Sequence, residues 1–313
     1  DGSQSFTEQV ISTSARSAVD VYAADLDGDG DMDVLSASNT SYFYSNKIAW
    51  YENDGSESFT EHVISTSANW AISVYAADVD GDGDPDLVLA NRDGQANQIL
   101  LNDGRLGFAE SRSYGTGSDE TRSVALADVN GDGFLDIVNV NIGEPNRIYL
   151  GDGAGGFDQG TSVGGSEQSY AVVVLDVDRD GDLDLYVANF GELALLRDGG
   201  SFAVRQVGGK SVVTGQHASR LKIVDGKLIE FGEPDAFYLN DGKGVFQKVP
   251  WGTGRFVRAD GQPFTEPLDF GLCVQMRDIN GDGFVDIYVC NDFQTPDRFW
   301  LNDGTGKFRE AGP

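Results

Sequence analysis

The chain is short of positive charge, cysteine, histidine and long apolar runs. Lys and Arg number 22 against 51 Asp and Glu, a formal net charge of −29. That shortage of cations argues against a nucleic-acid partner, because neutralising phosphates takes Lys and Arg. It argues equally against binding anionic lipid. Two cysteines, Cys273 and Cys290, are too few for a disulfide scaffold. The longest apolar run, Ala171 to Leu175, is five residues, where a membrane helix needs about 18. No direct membrane insertion is expected. The sequence opens with neither an initiator Met nor a signal peptide, so it reads as starting after processing or as a fragment.

What is present is enough for a folded body. The 313 residues are 40% hydrophobic and 11% aromatic, too rich for a disordered acidic tail. Gly is 41 of 313, about 13% where about 7% is usual, which implies many tight turns.

The acids recur in register. They form DLDGDGDMD (Asp25 to Asp33), DVDGDGDPD (Asp78 to Asp86), DVNGDGFLD (Asp128 to Asp136), DVDRDGDLD (Asp176 to Asp184) and DINGDGFVD (Asp278 to Asp286). Start-to-start spacings are 53, 50, 48 and 102 residues. The last is about two periods, as if one copy had lost its acidic signature. A second marker supports that count. Turns occur at Asn53-Asp54-Gly55, Asn102-Asp103-Gly104, Gly151-Asp152-Gly153, Asp198-Gly199-Gly200, Asn240-Asp241-Gly242 and Asn302-Asp303-Gly304. The fifth belongs to the copy without a loop, where Ile223 to Ile229 reads as a plain hairpin with an Asp-Gly turn.

A period near 50 residues means a propeller or solenoid. Within copy 2 the expected strands are Ser73 to Ala77, Leu87 to Ala90, Gln98 to Leu101 and Gly107 to Ser111. No 3.6-residue periodicity is sustained, so helix content should be near nil. Four short antiparallel strands per repeat make a propeller blade. The expectation is a single all-β propeller domain over residues 1–313. Its repeats would be 16–68, 69–118, 119–166, 167–210, 211–262 (without an acidic loop) and 263–313, six blades in all. Residues 1–15 would be an orphan outer strand, since Ser5 to Ala15 matches Ser58 to Ala68 at an offset of 53. That strand leaves room for a seventh blade in a longer protein. Lys248 to Asp269 reads as an insertion.

Counting from the first Asp of each loop, positions 1, 3, 5 and 9 are Asp or Asn in all five copies and position 6 is always Gly. Position 7 is Asp31, Asp84, Phe134, Asp182 or Phe284, so its side chain is not required. A hard cation explains the pattern. Ca²⁺ takes six to eight oxygens at about 2.3–2.6 Å. Side chains would supply them from Asp25, Asp27, Asp29 and Asp33; Asp78, Asp80, Asp82 and Asp86; Asp128, Asn130, Asp132 and Asp136; Asp176, Asp178, Asp180 and Asp184; Asp278, Asn280, Asp282 and Asp286. Position 7 would give its carbonyl, and Gly at 6 would allow the turn. No Cys or His lies in any loop, which weighs against zinc. An EF-hand needs Glu at position 12, and here that position is Ser36, Leu89, Asn139, Val187 or Val289. Asp, Asn and Gly also make good turns, but five copies of one spacing point to a shared ligand.

These loops resemble the FG-GAP/VCBS repeats of calcium-binding β-propellers, as in the head of integrin α subunits. Phe231 to Phe308, with DFGLCVQMRDINGDGFVDIYVCNDF and RFWLNDGTGKF, further resembles bacterial relatives of the cartilage-acidic-protein (ASPIC/UnbV-associated) group. The resemblance implies about five structural calcium ions, protein partners, and a secreted or cell-surface location. The loops hold 21 of the 51 acids, and five Ca²⁺ would move the formal charge from −29 to −19. At tenfold excess over Kd each site adds roughly 1.4 kcal/mol by linkage.

Other signals are weak. Gly151, Gly153 and Gly156 fit GxGxxG, but no helix follows. Gly209-Lys210-Ser211 lacks the upstream Gly of a phosphate-binding loop, which would stand at Val204. Asn39-Thr40-Ser41 is a glycosylation sequon. His62 reads as a surface residue. Cys273 and Cys290 flank the last loop as near neighbours, as a cross-strand disulfide or as two thiols.

Chain direction places acidic loops and NDG turns at one end of each blade. The links between blades and the second-to-third-strand loops share the other end, which varies between copies as a binding surface would. Candidate contacts there are Tyr42, Tyr44, Trp70, Arg122, Tyr170 and His217. The alternative is that Trp70, Tyr170 and Phe270 wedge blades together. The expected function is a non-enzymatic extracellular scaffold that binds protein. A carbohydrate-binding propeller is the second reading. A polysaccharide lyase, with His217, Arg220 and Tyr170 as its candidates, is the third.

Overall fold

The computed structural model describes residues 8, 10–39, 46–68, 70–191, 202–215, 218–224, 226–292 and 295–311. These residues contain no α-helix and a single 3₁₀ turn, Ala218–Arg220. The strands form repeated antiparallel sheets, the blades of a β-propeller.

Blade 1 runs β1 (Ala18–Ala24), β2 (Asp33–Ser38), β3 (Lys47–Asn53) and β4 (Phe59–Ser65) in sheet order. Blade 2 repeats this with β5 (Ala71–Ala77), β6 (Asp86–Asn91), β7 (Asn97–Leu101) and β8 (Glu110–Tyr114). Blade 3 has β9 (Thr121–Ala127), β10 (Asp136–Asn141), β11 (Asn146–Tyr149) and β12 (Thr161–Val163). The first three strands expected for copy 2 agree to within two residues. The fourth starts three residues later than expected, because Asp103 holds the NDG turn open to Gly107.

The fourth blade corrects the repeat count. It begins with β13 (Ser169–Leu175) and β14 (Asp184–Asn189). Two hairpins follow: β15 (Phe202–Val207) with β16 (Lys210–Gly215), and β17 (Leu221–Val224) with β18 (Lys227–Glu230). Then β19 (Ala236–Asn240) pairs with β14, and β20 (Phe246–Lys248) closes the sheet. The described residues therefore hold five blades, not six. The segment 211–262 is no loopless repeat; it contributes the outer half of blade 4. Tyr186 and Asn189 on β14 bond Asp235, the residue immediately before β19. That register leaves the intervening hairpins outside the sheet. The turn expected at Asp198-Gly199-Gly200 lies outside the described residues.

Blade 5 has β21 (Phe256–Val257), β22 (Gly271–Arg277), β23 (Asp286–Asn291), β24 (Arg298–Asn302) and β25 (Phe308–Glu310). The expected insertion Lys248 to Asp269 supplies β21, a fifth strand parallel to β25. Among the described part of 8–17 no strand is assigned. Ser14 there bonds Glu61 and Lys47 of blade 1, so this segment lies against its own first blade.

Second strands are buried on both faces. Every residue of β6, β10 and β14 is buried, which explains apolar runs such as Leu87-Val88-Leu89. Fourth strands such as β8 are mostly exposed and polar. The chain divides into two compact units, Asp1–Leu126 with Tyr149–Gly160, and Ala127–Ile148 with Thr161–Pro313. The core of the first is aliphatic, built on Leu35, Ile48, Leu87 and Leu89 around Trp50. The core of the second is aromatic: Phe256 packs on Phe308 at 5.0 Å and on Trp300 at 5.1 Å.

Candidate metal-binding loops

Each acidic loop joins the first and second strands of its blade, and its backbone is held by its own carboxylates. At position 1, Asp25 accepts the Gly28 N–H at 2.8 Å and the Gly30 N–H at 3.1 Å. Asp78, Asp128, Asp176 and Asp278 bond their loops in the same way. At position 5, Asp29, Asp82, Asp132, Asp180 and Asp282 each accept the N–H of position 7. Two residues adopt the left-handed conformation, at positions 4 and 6. From the sequence only position 6 is expected to do so. Position 4 is Gly in four copies and Arg179 (φ 64) in the fourth loop.

Position 9 has a task beyond offering a ligand. Asp33, Asp86, Asp136, Asp184 and Asp286 are buried. One oxygen of each accepts the N–H of position 2. In blades 1, 2, 4 and 5 the other accepts the N–H of the turn's first Asn, at 2.8–3.0 Å. That Asn returns its side-chain amide to the carbonyl of position 8. Asn240 and Asn302 also reach the neighbouring blade, at Val129 O (2.7 Å) and Val177 O (2.8 Å). The acidic loop and the NDG turn are thus one structure, at one end of the blade. Position 7 completes it. A Cβ on Gly55, Gly104 or Gly242 would lie 2.5 Å, 2.6 Å or 2.5 Å from Asp31, Asp84 or Asp182, and Phe284 covers Gly304 in the same way. The side chain at 7 lies over the turn glycine, so Asp and Phe serve equally there.

The donor set suits a cation best in loops 1, 2 and 4. One oxygen from each of Asp25, Asp27 and Asp29 lies within 4.8 Å of the others, as do oxygens of Asp78, Asp80 and Asp86, and of Asp176, Asp178 and Asp180. Asp178 Oδ1 is buried and has no hydrogen-bond partner. Burial, and then the charge of neighbouring acids, raises the carboxyls of Asp27, Asp80 and Asp178 above the ordinary range. Burial pushes Asp86 up to about 6 and Asp184 up to about 7. Carboxylates crowded until they resist ionisation are what a bound divalent cation relieves. Arginine gives partial compensation: Arg255 Nη1 stands 3.6 Å from Asp178 and Arg112 lowers Asp80.

Loops 3 and 5 are built differently. Asn130 donates its side-chain amide to Asp132 at 2.8 Å, and Asn280 donates to Asp282 at 2.8 Å. The loop's own amide stands where the other loops have a carboxylate. Arg179 of loop 4 reaches loop 5, donating to Gly283 O at 2.6 Å with its guanidinium 4.4 Å from the Phe284 ring.

At the other end of the blades, the described candidate contact residues are engaged. Tyr170 stacks on Phe190 at 5.0 Å, and Phe190 meets Phe270 edge-on at 5.3 Å. Arg92 covers Trp70 at 5.3 Å. The Tyr170, Phe190 and Phe270 rings join blade 4 to blade 5 as a wedge, whereas Trp70 is covered from within its own blade, and Arg122 is half-buried with partners of its own. Tyr42, Tyr44 and His217 lie outside the described residues. Arg220 bonds Glu230 and the Phe231 carbonyl. His62 is half-exposed on β4, paired with Glu52 at 2.7 Å and stacked on Trp50. Cys273 and Cys290 are free thiols directly opposite each other. The pairs from Arg277 with Asp286 to Cys273 with Cys290 keep one register, and the bulge comes only beyond them, between Gly271 and Cys273.

Sequence comparison matches the FG-GAP-like repeat at residues 1–36, 28–89, 78–139 and 128–187, more than half of the chain. No curated protein sequence matches it. Among solved structures the chain is similar to BBS1N, crystallised in complex with ARL6DN, at 15% identity over 92% of this chain and 79% of that one, with a TM-score of 0.43. It is also similar to the V. cholerae biofilm matrix protein Bap1, at 13% identity over 97% of this chain and 82% of that one, with a TM-score of 0.37. The fifth blade, beyond the matched residues, repeats the same loop, turn and buried Asp286. The chain belongs to the FG-GAP-like repeat family.

Proposed function

We propose that the chain is a non-enzymatic, calcium-stabilised scaffold that binds protein partners outside the cell. The observation that carries the metal is the unpartnered, buried Asp178 Oδ1 among Asp176, Asp178 and Asp180. Calcium at the loops ties the first strand, the second strand and the NDG turn of a blade together, so its role is structural. Sites of this kind fill at extracellular rather than cytosolic calcium levels. The resemblance of Phe231 to Phe308 to the cartilage-acidic-protein group supports the same location. The loop ends of the blades are occupied by this repeated architecture. The opposite ends differ from blade to blade and carry the added hairpins of blade 4, so a partner is expected there.

The test is a calcium titration of the metal-stripped chain, followed by heat and by direct ion counting. Saturable uptake with a rise in Tm is expected. An unchanged Tm and no bound ion would sink the metal reading. A glycan array run with millimolar calcium and with EDTA, beside pull-downs from cell-surface extracts, separates protein from sugar as the ligand.

A further inference from the structure

The two hairpins of blade 4 stand apart from the rest of the chain in charge and in pairing. Residues 202–230 hold five of the 22 Lys and Arg but two of the 51 Asp and Glu. This arm is therefore +3 within a chain of −29. Arg205, Lys210 and Lys227 are exposed and make no ion pair with any described residue. Among the described residues β15 and β16 pair only with each other, and neither outer edge is bonded to another described strand. A two-stranded ribbon exposed on both faces is at best marginal alone. Cross-strand partners share a face. Arg205 lies opposite Val212 and Val207 opposite Lys210, so one exposed face alternates cation and valine. Val207 is 60% exposed and Val212 40%.

We propose that β15–β16 is a docking edge that receives an extended acidic segment of a partner protein as a third strand. This rests on the scaffold reading above and names the site and the chemistry of its occupant. The open edge supplies main-chain hydrogen bonds, which only a polypeptide strand can complete. The alternation of cation and valine fits a strand that alternates acid and apolar residues, by the two-residue period of β structure. The charge contrast with the rest of the chain selects an acidic segment and repels a basic one.

The test uses the full chain in calcium and two fluorescein-labelled octapeptides, one alternating Glu and Val, the other Lys and Val. Anisotropy should show binding of the Glu-Val peptide alone. The double variant Arg205→Glu/Lys210→Glu should weaken it at least tenfold, and raising the salt should weaken it too. Hydrogen exchange should slow within 202–207 when the peptide is bound. Both substitutions are at exposed positions, and an unchanged Tm verifies the fold. The proposal is overturned by no binding, by binding that the double variant leaves intact, or by protection elsewhere. It is also overturned if a heparin oligosaccharide binds the arm more tightly than the peptide, which would make the site one for a polyanion. Failure of the peptide while pull-downs still capture a protein at the unaltered blade ends would remove this site and leave the scaffold reading standing.

Discussion

Loops 1, 2 and 4 carry five Asp each, whereas loops 3 and 5 carry three Asp, an Asn at position 3 and a Phe at position 7. All five have nearly the same backbone. In the first group carboxylates face one another and Asp178 leaves a buried oxygen unpartnered. In the second, Asn130 and Asn280 donate amide hydrogens to the neighbouring Asp. The difference teaches that the loop's shape and its appetite for a cation are separable. Positions 1, 5 and 9 hold the shape through backbone bonds in all five loops; position 3 accepts the position-5 N–H in four of them, and whether it is Asp or Asn changes how much negative charge is left over.

The largest expected effect comes from removing metal. If only the three carboxylate-rich loops fill firmly, tenfold excess calcium adds roughly 4 kcal/mol by linkage. At about 2–4 °C per kcal/mol for a domain of this order, EDTA should lower Tm by about 10 °C. Calorimetric titration should resolve three tighter sites and two weaker ones. Five equivalent sites would erase the distinction between the two groups.

The next effect separates shape from charge within one loop. Asp86→Ala leaves the Val79 and Asn102 N–H groups buried without an acceptor. A cost of about 2–5 kcal/mol is expected, with or without calcium. Asp80→Ala gives up only the 3.3 Å bond from the exposed Asp82 N–H, so it should cost about 1 kcal/mol or less in EDTA and lose most of the calcium-dependent rise. Equal losses in EDTA, measured by urea unfolding, would show that position 3 is structural too.

This division was only partly legible in the sequence. Repeat spacing, strand-rich blades and the five loops followed from Asp, Asn and Gly at fixed offsets, because a turn and its ligands demand residue types at set positions. The role of position 9 was not legible, since a ligand and a backbone clamp both require Asp. The blade count failed for a different reason. The acidic loop and the NDG turn of blade 4 are far apart in sequence, so each reads as a separate copy. A signal was present: Gly232-Glu233-Pro234-Asp235-Ala236-Phe237-Tyr238-Leu239 repeats Gly143-Glu144-Pro145-Asn146-Arg147-Ile148-Tyr149-Leu150, the start of a third strand. Sheet register makes that likeness decisive, because Asp235 and Asn146 each accept the N–H of the last second-strand Asn.

A smaller effect should convert one group into the other. Asn130→Asp replaces an amide donor with a carboxylate beside Asp132. In EDTA the variant should be less stable by about 1 kcal/mol, the worth of one hydrogen bond. In calcium it should bind one ion several-fold more tightly, so the two curves of stability against calcium must cross. Parallel curves would mean that position 3 does not tune affinity.

The smallest effect lies where the two groups touch. Arg179 occupies position 4 of loop 4 in the left-handed conformation that the other copies give to Gly. That conformation costs a side chain roughly 1–2 kcal/mol. In return Arg179 bonds Gly283 O and covers Phe284, contacts worth about 1–2 kcal/mol together. Arg179→Gly removes both the strain and the contacts, so its Tm in EDTA should stay within about 2 °C of the parent, under 1 kcal/mol on this scale. Arg179→Ala keeps the strain and loses the contacts, so it should fall by several degrees. The order of the two variants is the informative quantity. If Ala and Gly melt together, the left-handed backbone stores no strain at Arg179. If Gly falls as far as Ala is expected to, the latch to loop 5 outweighs the strain, and loop 4 owes part of its stability to a loop of the other group.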